Sequence, residues 1–107
     1  MELKEKSCVL YGLGSAPLSA EEIRKYKQTL SLGWNVVENK KIRKEYPFVN
    51  FRNGMAFVNN VAELADKENH HPTVMIEYSR VEIELSTHSV NGLTENDFIM
   101  AAKIDKL

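Results

Sequence analysis

The sequence predicts an α+β domain in which helices cover one face of a four-stranded antiparallel sheet. Segments with a helical spacing of apolar residues and segments in which every second residue is apolar follow one another in the order α-β-β-α-β-β-α. Each strand segment carries only one apolar face, so the helices are expected on one side of the sheet. The 107 residues suffice for one core of this kind but not for two.

The first helix is predicted to begin at a capping box. Ser19 precedes Glu22 by three positions, and each side chain can accept a hydrogen bond from the backbone N–H of the other residue. The helix is expected to end before Gly33, because glycine commonly follows the last helical turn. Its apolar residues share one face: Ile23, Tyr26 and Leu30.

The residues ahead of this helix show no sustained period. They include Gly12, Gly14 and Pro17, and such residues are typical of irregular chain. We therefore predict an irregular lead-in over residues 1–18 that can lie over the domain. A single domain is predicted over residues 19–107.

A pair of antiparallel strands is predicted after the first helix. The segments WNVVE and KIRKEYPFVNF are joined by Asn39 and Lys40, a spacing that is typical of a hairpin. Pro47 lacks the N–H that a neighbouring strand would need. It therefore predicts an edge strand or a bulge.

Two further helices are predicted on either side of a second hairpin. One runs from Asn53 and has the most regular helical spacing in the chain. The last begins at Thr94 as its N-cap, with Asp97 three positions later. The inner-face residues are Phe57, Val58, Val61, Leu64 and Ala65 in the former and Phe98, Ala101 and Ala102 in the latter.

The second hairpin, TVMIEYSRVEIELS, alternates apolar and polar residues on both sides of Ser79 and Arg80. If these two residues form the turn, apolar residues face each other along the ladder. The same register, carried outward, predicts that His71 lies opposite His88. Two imidazoles would then meet at the open end of the hairpin.

Composition and charge narrow the classes of function. The 14 basic and 15 acidic residues nearly cancel and form no long run, which argues against direct nucleic-acid binding. No apolar stretch is typical of a secretory signal or a membrane span, so we expect a cytoplasmic protein that does not enter membranes. Cys8 is the only cysteine, which excludes an internal disulfide.

The three histidines lie between residues 70 and 88, and their spacing resembles that of the pterin-4a-carbinolamine dehydratase family. The segments GWNVVE and LSTH are also similar to the family, and the resemblance spans roughly residues 19–104. The positions that match its motif are Asp66, His70, His71, Pro72, Tyr78, His88 and Asp97.

The resemblance implies the loss of water from a 4a-hydroxytetrahydropterin to give a quinonoid dihydropterin, in the recycling of tetrahydrobiopterin, with neither cofactor nor metal. Histidine suits this chemistry, because an imidazole pKa near ~6.5 lets the ring give or take a proton at neutral pH. By resemblance, His70 and His88 are the acid and base on opposite sides of the pterin. His71 would place and polarise the substrate.

The resemblance also implies a set of substrate-binding residues. Asp66 and Asn69 stand where the family commonly has glutamate and aspartate. For Asp97, a role as a helix cap competes with a role in the site. For Trp34, packing in the core competes with stacking on the pterin. The full set of expected substrate-binding residues is Trp34, Asp66, Asn69, Ser86, Thr87 and Asp97.

Two alternatives stay open at this point. A cross-strand histidine pair with Asp66 could hold zinc, although adjacent histidines should diverge. Alternatively, the domain could be a non-catalytic dimerisation or regulatory module that binds a protein partner. The resemblance implies a homodimer or homotetramer in either case, and exposed sheet edges make association physically reasonable.

Overall fold

The predicted order of helices and strands is confirmed by the computed structural model, which describes all 107 residues. The helices are α1 (Ala20–Gln28), α2 (Phe51–Glu68) and α3 (Glu95–Ile104); the strands are β1 (Asn35–Val37), β2 (Lys41–Pro47), β3 (Thr73–Glu77) and β4 (Arg80–Leu85). Two short 3₁₀ helices were not predicted, Leu3–Glu5 in the lead-in and His88–Val90 after β4. No helix has both the length and the apolar character needed to cross a membrane.

The four strands form one antiparallel sheet in the order β1-β2-β4-β3. One face is apolar and is buried along β4, as at Ile83 and Leu85, whereas the other presents charged side chains such as Arg43 and Glu84, which form an ion pair of 2.9 Å. The helices lie on the apolar face, as predicted. Strand β2 is an inner strand, but β1 pairs only with residues 41–43, so Pro47 lies beyond the part of β2 that β1 covers.

The predicted register of the β3–β4 hairpin is wrong by two residues. Tyr78 and Ser79 form the turn, and Glu77 pairs with Arg80 instead of lying opposite Glu82. The observed register joins opposite charges, and the Arg80 Nε atom donates to Glu77 Oε1 at 2.9 Å. A shift of two residues leaves every side chain on its predicted face. It also means that His71 does not lie opposite His88.

The core lies between the sheet and the three helices. Strand residues such as Val81 meet the inner face of α2, where Phe57 packs against Tyr46 and Phe48 with ring centroids 4.7 and 5.2 Å apart. Helices α1 and α3 meet through the stacked rings of Tyr26 and Phe98, 5.1 Å apart. Aromatic pairs at such distances add about 0.5–1.5 kcal/mol to the free energy gained by burying them.

A largely buried carboxylate ties the end of α3 to the sheet. Asp105 accepts hydrogen bonds from Ser31 Oγ, from Trp34 Nε1 at 2.9 Å, from Lys44 Nζ at 2.8 Å and from Tyr46 Oη at 2.6 Å. Burial raises the pKa of Asp105, but these donors outweigh that effect and hold the pKa below its usual value. Trp34 is therefore a core residue with 2% exposure, and its ring has no free face on which a ligand could stack.

Candidate active site

Most of the residues singled out in the sequence come together around one cavity of about 380 Å³. It lies where the end of α2, the segment after β4 and the start of α3 meet. The lining comprises residues 8–11, 68–71 and 86–89 together with Asn96. Six of the predicted site residues line it, namely Asn69, His70, His71, Ser86, Thr87 and His88.

The end of α2 places the histidine pair. Asn69 is the C-cap and has φ 54°, a left-handed conformation that asparagine tolerates better than most residues. The backbone N–H groups of Asn69 and His70 both point back to the carbonyl oxygen of Ala65. The chain therefore leaves the helix axis at Asn69, and His70 and His71 point in different directions.

His70 is held by a buried carboxylate. Its Nε2 atom lies 2.7 Å from Asp97 Oδ1, and the two side chains are 11% and 0% exposed. The other oxygen, Asp97 Oδ2, accepts from Thr87 Oγ1 at 2.8 Å and from the backbone N–H of Thr94 at 3.0 Å. One oxygen of Asp97 therefore caps α3 and the other holds His70.

This arrangement also selects the tautomer of His70. Two neighbours of Asp97 donate hydrogen bonds to it, as expected for an ionised carboxylate, which is an acceptor only. The same carboxylate then favours a proton on His70 Nε2, which leaves Nδ1 unprotonated in the neutral ring. In this tautomer Nδ1 is the ring nitrogen that can accept a proton.

His71 and Asp66 form a second histidine–carboxylate pair of a different kind. The His71 Nε2 atom lies 2.9 Å from Asp66 Oδ1, but the two side chains are 58% and 80% exposed. Asp66 does not line the cavity. An exposed pair of this type contributes little to stability and orients its histidine weakly.

His88 also lines the cavity. It is the first residue of the 3₁₀ helix after β4, and its side chain is exposed. Together with Ser86 and Thr87 it also lines a neighbouring polar cavity of about 300 Å³ that includes Lys40. His88 therefore lies between the two cavities, where both a ligand and water can reach it.

The sequence did not indicate that the lead-in would form part of the site. Residues 8–11 line the cavity, as do Glu68, Ser89 and Asn96. The lead-in has no periodic pattern, so no signal in the sequence could place it. Burial, together with the charges of Glu68 and Asp97, raises the pKa of the Cys8 thiol to about 12 although Lys103 acts in the opposite direction.

The structure does not bring Trp34 and Asp66 to the cavity. Trp34 lies in the core, and the cavity offers no contact with it. The zinc alternative required His71 and His88 to be cross-strand partners, which the observed register does not allow. No group of three His, Cys, Asp or Glu side chains is arranged to hold a metal ion.

The fold and the cavity define a small α+β domain in which three histidines line one pocket and a buried carboxylate holds one of them. A family model described as pterin 4 alpha carbinolamine dehydratase matches residues 16–107. A Rubrobacter xylanophilus protein, provisionally named pterin-4-alpha-carbinolamine dehydratase, is 45% identical over 106 residues, which cover 99% of this chain and 98% of that protein. A protein of Alkaliphilus metalliredigens with the same provisional name is 40% identical over 104 residues, 97% and 94% of the two chains. The chain belongs to the pterin 4 alpha carbinolamine dehydratase family.

Two solved structures resemble the fold. The crystal structure of a transcriptional coactivator/pterin dehydratase from Brucella melitensis has a TM-score of 0.79 and 34% identity, and the match covers 84% of this chain and 96% of that one. A pterin dehydratase-like RuBisCO assembly factor of the alpha-carboxysome has a TM-score of 0.59 and 21% identity, covering 69% and 87%. The latter similarity shows a shared fold only.

Proposed function

We propose that this protein is an enzyme that removes water from 4a-hydroxytetrahydropterins. In this reaction the bond between C4a and the hydroxyl oxygen breaks, a double bond forms between C4a and the adjacent ring nitrogen, and that nitrogen loses its proton. The products are water and a quinonoid dihydropterin. No electrons are exchanged with another molecule, so proton transfer is the chemistry that the protein must supply.

The observation that carries this proposal is the contact between His70 and Asp97 at the wall of the cavity. Because Asp97 favours the proton on His70 Nε2, the Nδ1 atom is free to accept the proton from the ring nitrogen. His88, which also lines the cavity, is then the acid that protonates the departing hydroxyl. His71, Asn69 and Ser86 are assigned to positioning the pterin.

A stopped-flow assay tests the activity directly. The 4a-hydroxytetrahydropterin is generated in the cuvette, and its dehydration is followed by absorbance with and without the protein. We expect a large acceleration by the wild-type protein. A rate equal to that of buffer alone would reject the enzyme and favour a binding role.

The His88→Ala variant should reduce kcat by about tenfold to a hundredfold in the same assay, a moderate loss for a general acid. The loss is moderate because His88 is exposed, so water can replace it as a proton donor. Glu63→Gln, an exposed substitution on α2 away from both cavities, serves as the control and should match the wild type. Unchanged turnover in His88→Ala would remove this residue from the mechanism.

Self-association is the second part of the proposal. Strand β3 is at the edge of the sheet with no neighbour on its outer side, and Met75 and Ile76 on it are 54% and 36% exposed. An unpaired edge with exposed apolar residues favours pairing with another chain. We expect a homodimer or homotetramer by light scattering after size-exclusion chromatography, and a monomer at all concentrations tested would contradict this expectation.

A protein-binding role is the second candidate function. The same β3 edge could accept a different protein, and the Brucella melitensis relative, at 34% identity, is described as both a coactivator and a pterin dehydratase. The stopped-flow assay distinguishes the dehydratase from the protein-binding role, because a binding module alone would not accelerate dehydration.

A further inference from the structure

The apolar part of the cavity wall comes from a single segment of the chain. Residues 8–11 supply all of its apolar side chains, and the other lining residues are polar. This segment, which we call the strap (Cys8–Tyr11), lies outside residues 16–107 matched by the family model. The cavity is thus polar on the side of the histidines and apolar on the side of the strap.

The strap is fixed to the domain by a buried side chain. Asn96, on α3, is 4% exposed, and both polar atoms of its amide bind the backbone of Val9. The Val9 N–H donates to Asn96 Oδ1 at 2.9 Å, and Asn96 Nδ2 donates to the Val9 carbonyl at 2.6 Å. A buried amide with both groups paired in this way favours one position of the strap.

Two further hydrogen bonds fix the ends of the strap. The Cys8 N–H donates to Glu68 Oε1 at 2.8 Å, and Ser89 Oγ donates to the Tyr11 carbonyl oxygen at 2.8 Å. Ser89 directly follows His88, so the strap is attached to the segment that carries the second histidine. The strap is therefore positioned relative to both sides of the cavity.

We propose that the strap is a substrate-binding element and that the Tyr11 side chain packs against the face of the pterin ring. This inference rests on the function proposed above. A pterin is flat, with hydrogen-bonding groups on its edge and an apolar face, and the cavity offers a polar wall and an apolar wall to match.

Tyr11 is the best placed of the four residues for this contact. It is partly buried and is the only aromatic residue other than histidine that lines the cavity. Leu10 and Val9 are aliphatic and offer no ring for stacking, and at 90% and 61% exposure they are held less firmly than Tyr11. Trp34, at 2% exposure in the core, cannot provide a stacking surface.

Equilibrium binding of 7,8-dihydrobiopterin, a stable pterin, tests the contact without requiring turnover. Tyr11→Ala should weaken binding roughly tenfold, as expected for the loss of one aromatic stacking partner, whereas Tyr11→Phe should bind like the wild type. Tyr78→Ala is the matched control, since Tyr78 is 75% exposed in the β3–β4 turn and does not line the cavity. Equal binding by the wild type and Tyr11→Ala would overturn the proposal.

Cys8 provides a second measurement that reports on the strap itself. It is the only cysteine, so its alkylation by iodoacetamide can be followed by mass spectrometry of the intact protein. Because its raised pKa leaves little thiolate, the reaction is run at about pH 9 over several hours. Saturating 7,8-dihydrobiopterin should slow this alkylation several-fold, because the ligand would cover the cavity side of the strap. Asn96→Ala should accelerate it, and no protection of the wild type at saturation would overturn the proposal.

The binding and turnover measurements test the strap proposal and the proposed dehydratase activity separately. If the wild type accelerates dehydration but Tyr11→Ala has an unchanged KM, the strap proposal fails and the proposed activity stands. If dihydrobiopterin binds and protects Cys8 while dehydration is not accelerated, the strap binds pterins and the proposed activity fails. A raised KM with little change in kcat in Tyr11→Ala supports both, because a stacking contact acts on bound substrate and transition state alike.

Discussion

Replacing His70 with alanine is expected to lower kcat for dehydration by about a thousandfold, within the usual range for the loss of a general acid or base. His70 is the histidine that the protein holds most firmly, with 11% side-chain exposure and a 2.7 Å contact to Asp97. Water that enters the space left by the ring would be held by the same carboxylate, but it is a far weaker base than imidazole. The stopped-flow assay at saturating substrate measures this loss.

His71→Ala is the matched control for this variant. It removes an identical side chain from the adjacent position, but one that is 58% exposed and paired with an exposed carboxylate. We expect its kcat to stay within about tenfold of the wild type, since weakly held side chains contribute less to positioning. If His70→Ala retained kcat within threefold of the wild type, or if the two variants lost the same amount, His70 would not be the base.

The role of Asp97 can be separated from its role as a helix cap. Asp97→Asn keeps the size of the side chain and one oxygen for the Thr94 N–H, but the amide group would present a donor to His70 or to Thr87. We therefore expect most of the loss seen in His70→Ala, with a smaller loss of stability than Asp97→Ala. This pattern would distinguish positioning of the imidazole from support of α3.

The fold could be predicted because its signals are local. The capping box at Ser19 and Glu22 and the alternation along β4 depend on residues within a few positions of each other, and both are present in the structure. The predicted register of the β3–β4 hairpin was wrong because Tyr78 and Ser79 are not a typical pair for a two-residue hairpin turn. The prediction therefore depended only on apolar residues facing each other, and more than one register satisfies that condition. The observed register pairs Glu77 with Arg80 and also keeps apolar residues opposite each other, as at Ile76 and Val81.

Only those residues of the candidate site that belong to the family's motif could be predicted from the sequence. His70 and Asp97 are 27 residues apart, and their direct contact follows from the position of α3 against the end of α2. For Trp34 the sequence left two alternatives, because an aromatic residue beside a strand fits a binding surface and a core equally well, and its 2% exposure favours the core. The strap could not be found, since its position depends on single hydrogen bonds such as those of Asn96 and not on any repeated pattern.

The largest effect on stability is expected from Asp105→Ala, which should lower the free energy of unfolding by about 3–5 kcal/mol, as for other buried ion pairs that lose one partner. The Lys44 and Asp105 side chains are 16% and 10% exposed, so the lysine would be left without its counter-ion in a poorly solvated place. Trp34 Nε1 and Tyr46 Oη would also lose their acceptor. Urea unfolding at neutral pH measures the change.

The control for this substitution is Glu77→Ala, which removes a carboxylate from the exposed pair with Arg80. We expect it to cost less than about 1 kcal/mol, because solvent screens such pairs. Adding Lys44→Met to Asp105→Ala should restore part of the loss, since the unpaired charge is then gone. If Asp105→Ala lowered the free energy of unfolding by less than about 1 kcal/mol, solvent would reach Lys44, and the hydrogen bonds to Asp105 would not stabilise the fold.

The hydrogen bonds to Asp105 also determine how the free energy of unfolding changes with pH. Because its donors hold the pKa of Asp105 below the ordinary value of 3.8, the folded state binds fewer protons than the unfolded state as the pH falls. The stabilisation from Asp105 is therefore complete above that ordinary pKa and is lost as the pH falls through the lower pKa of the folded state. Asp105→Ala should accordingly differ most from the wild type at neutral pH and approach it in acid, and a difference that stayed constant down to strongly acidic pH would contradict this account.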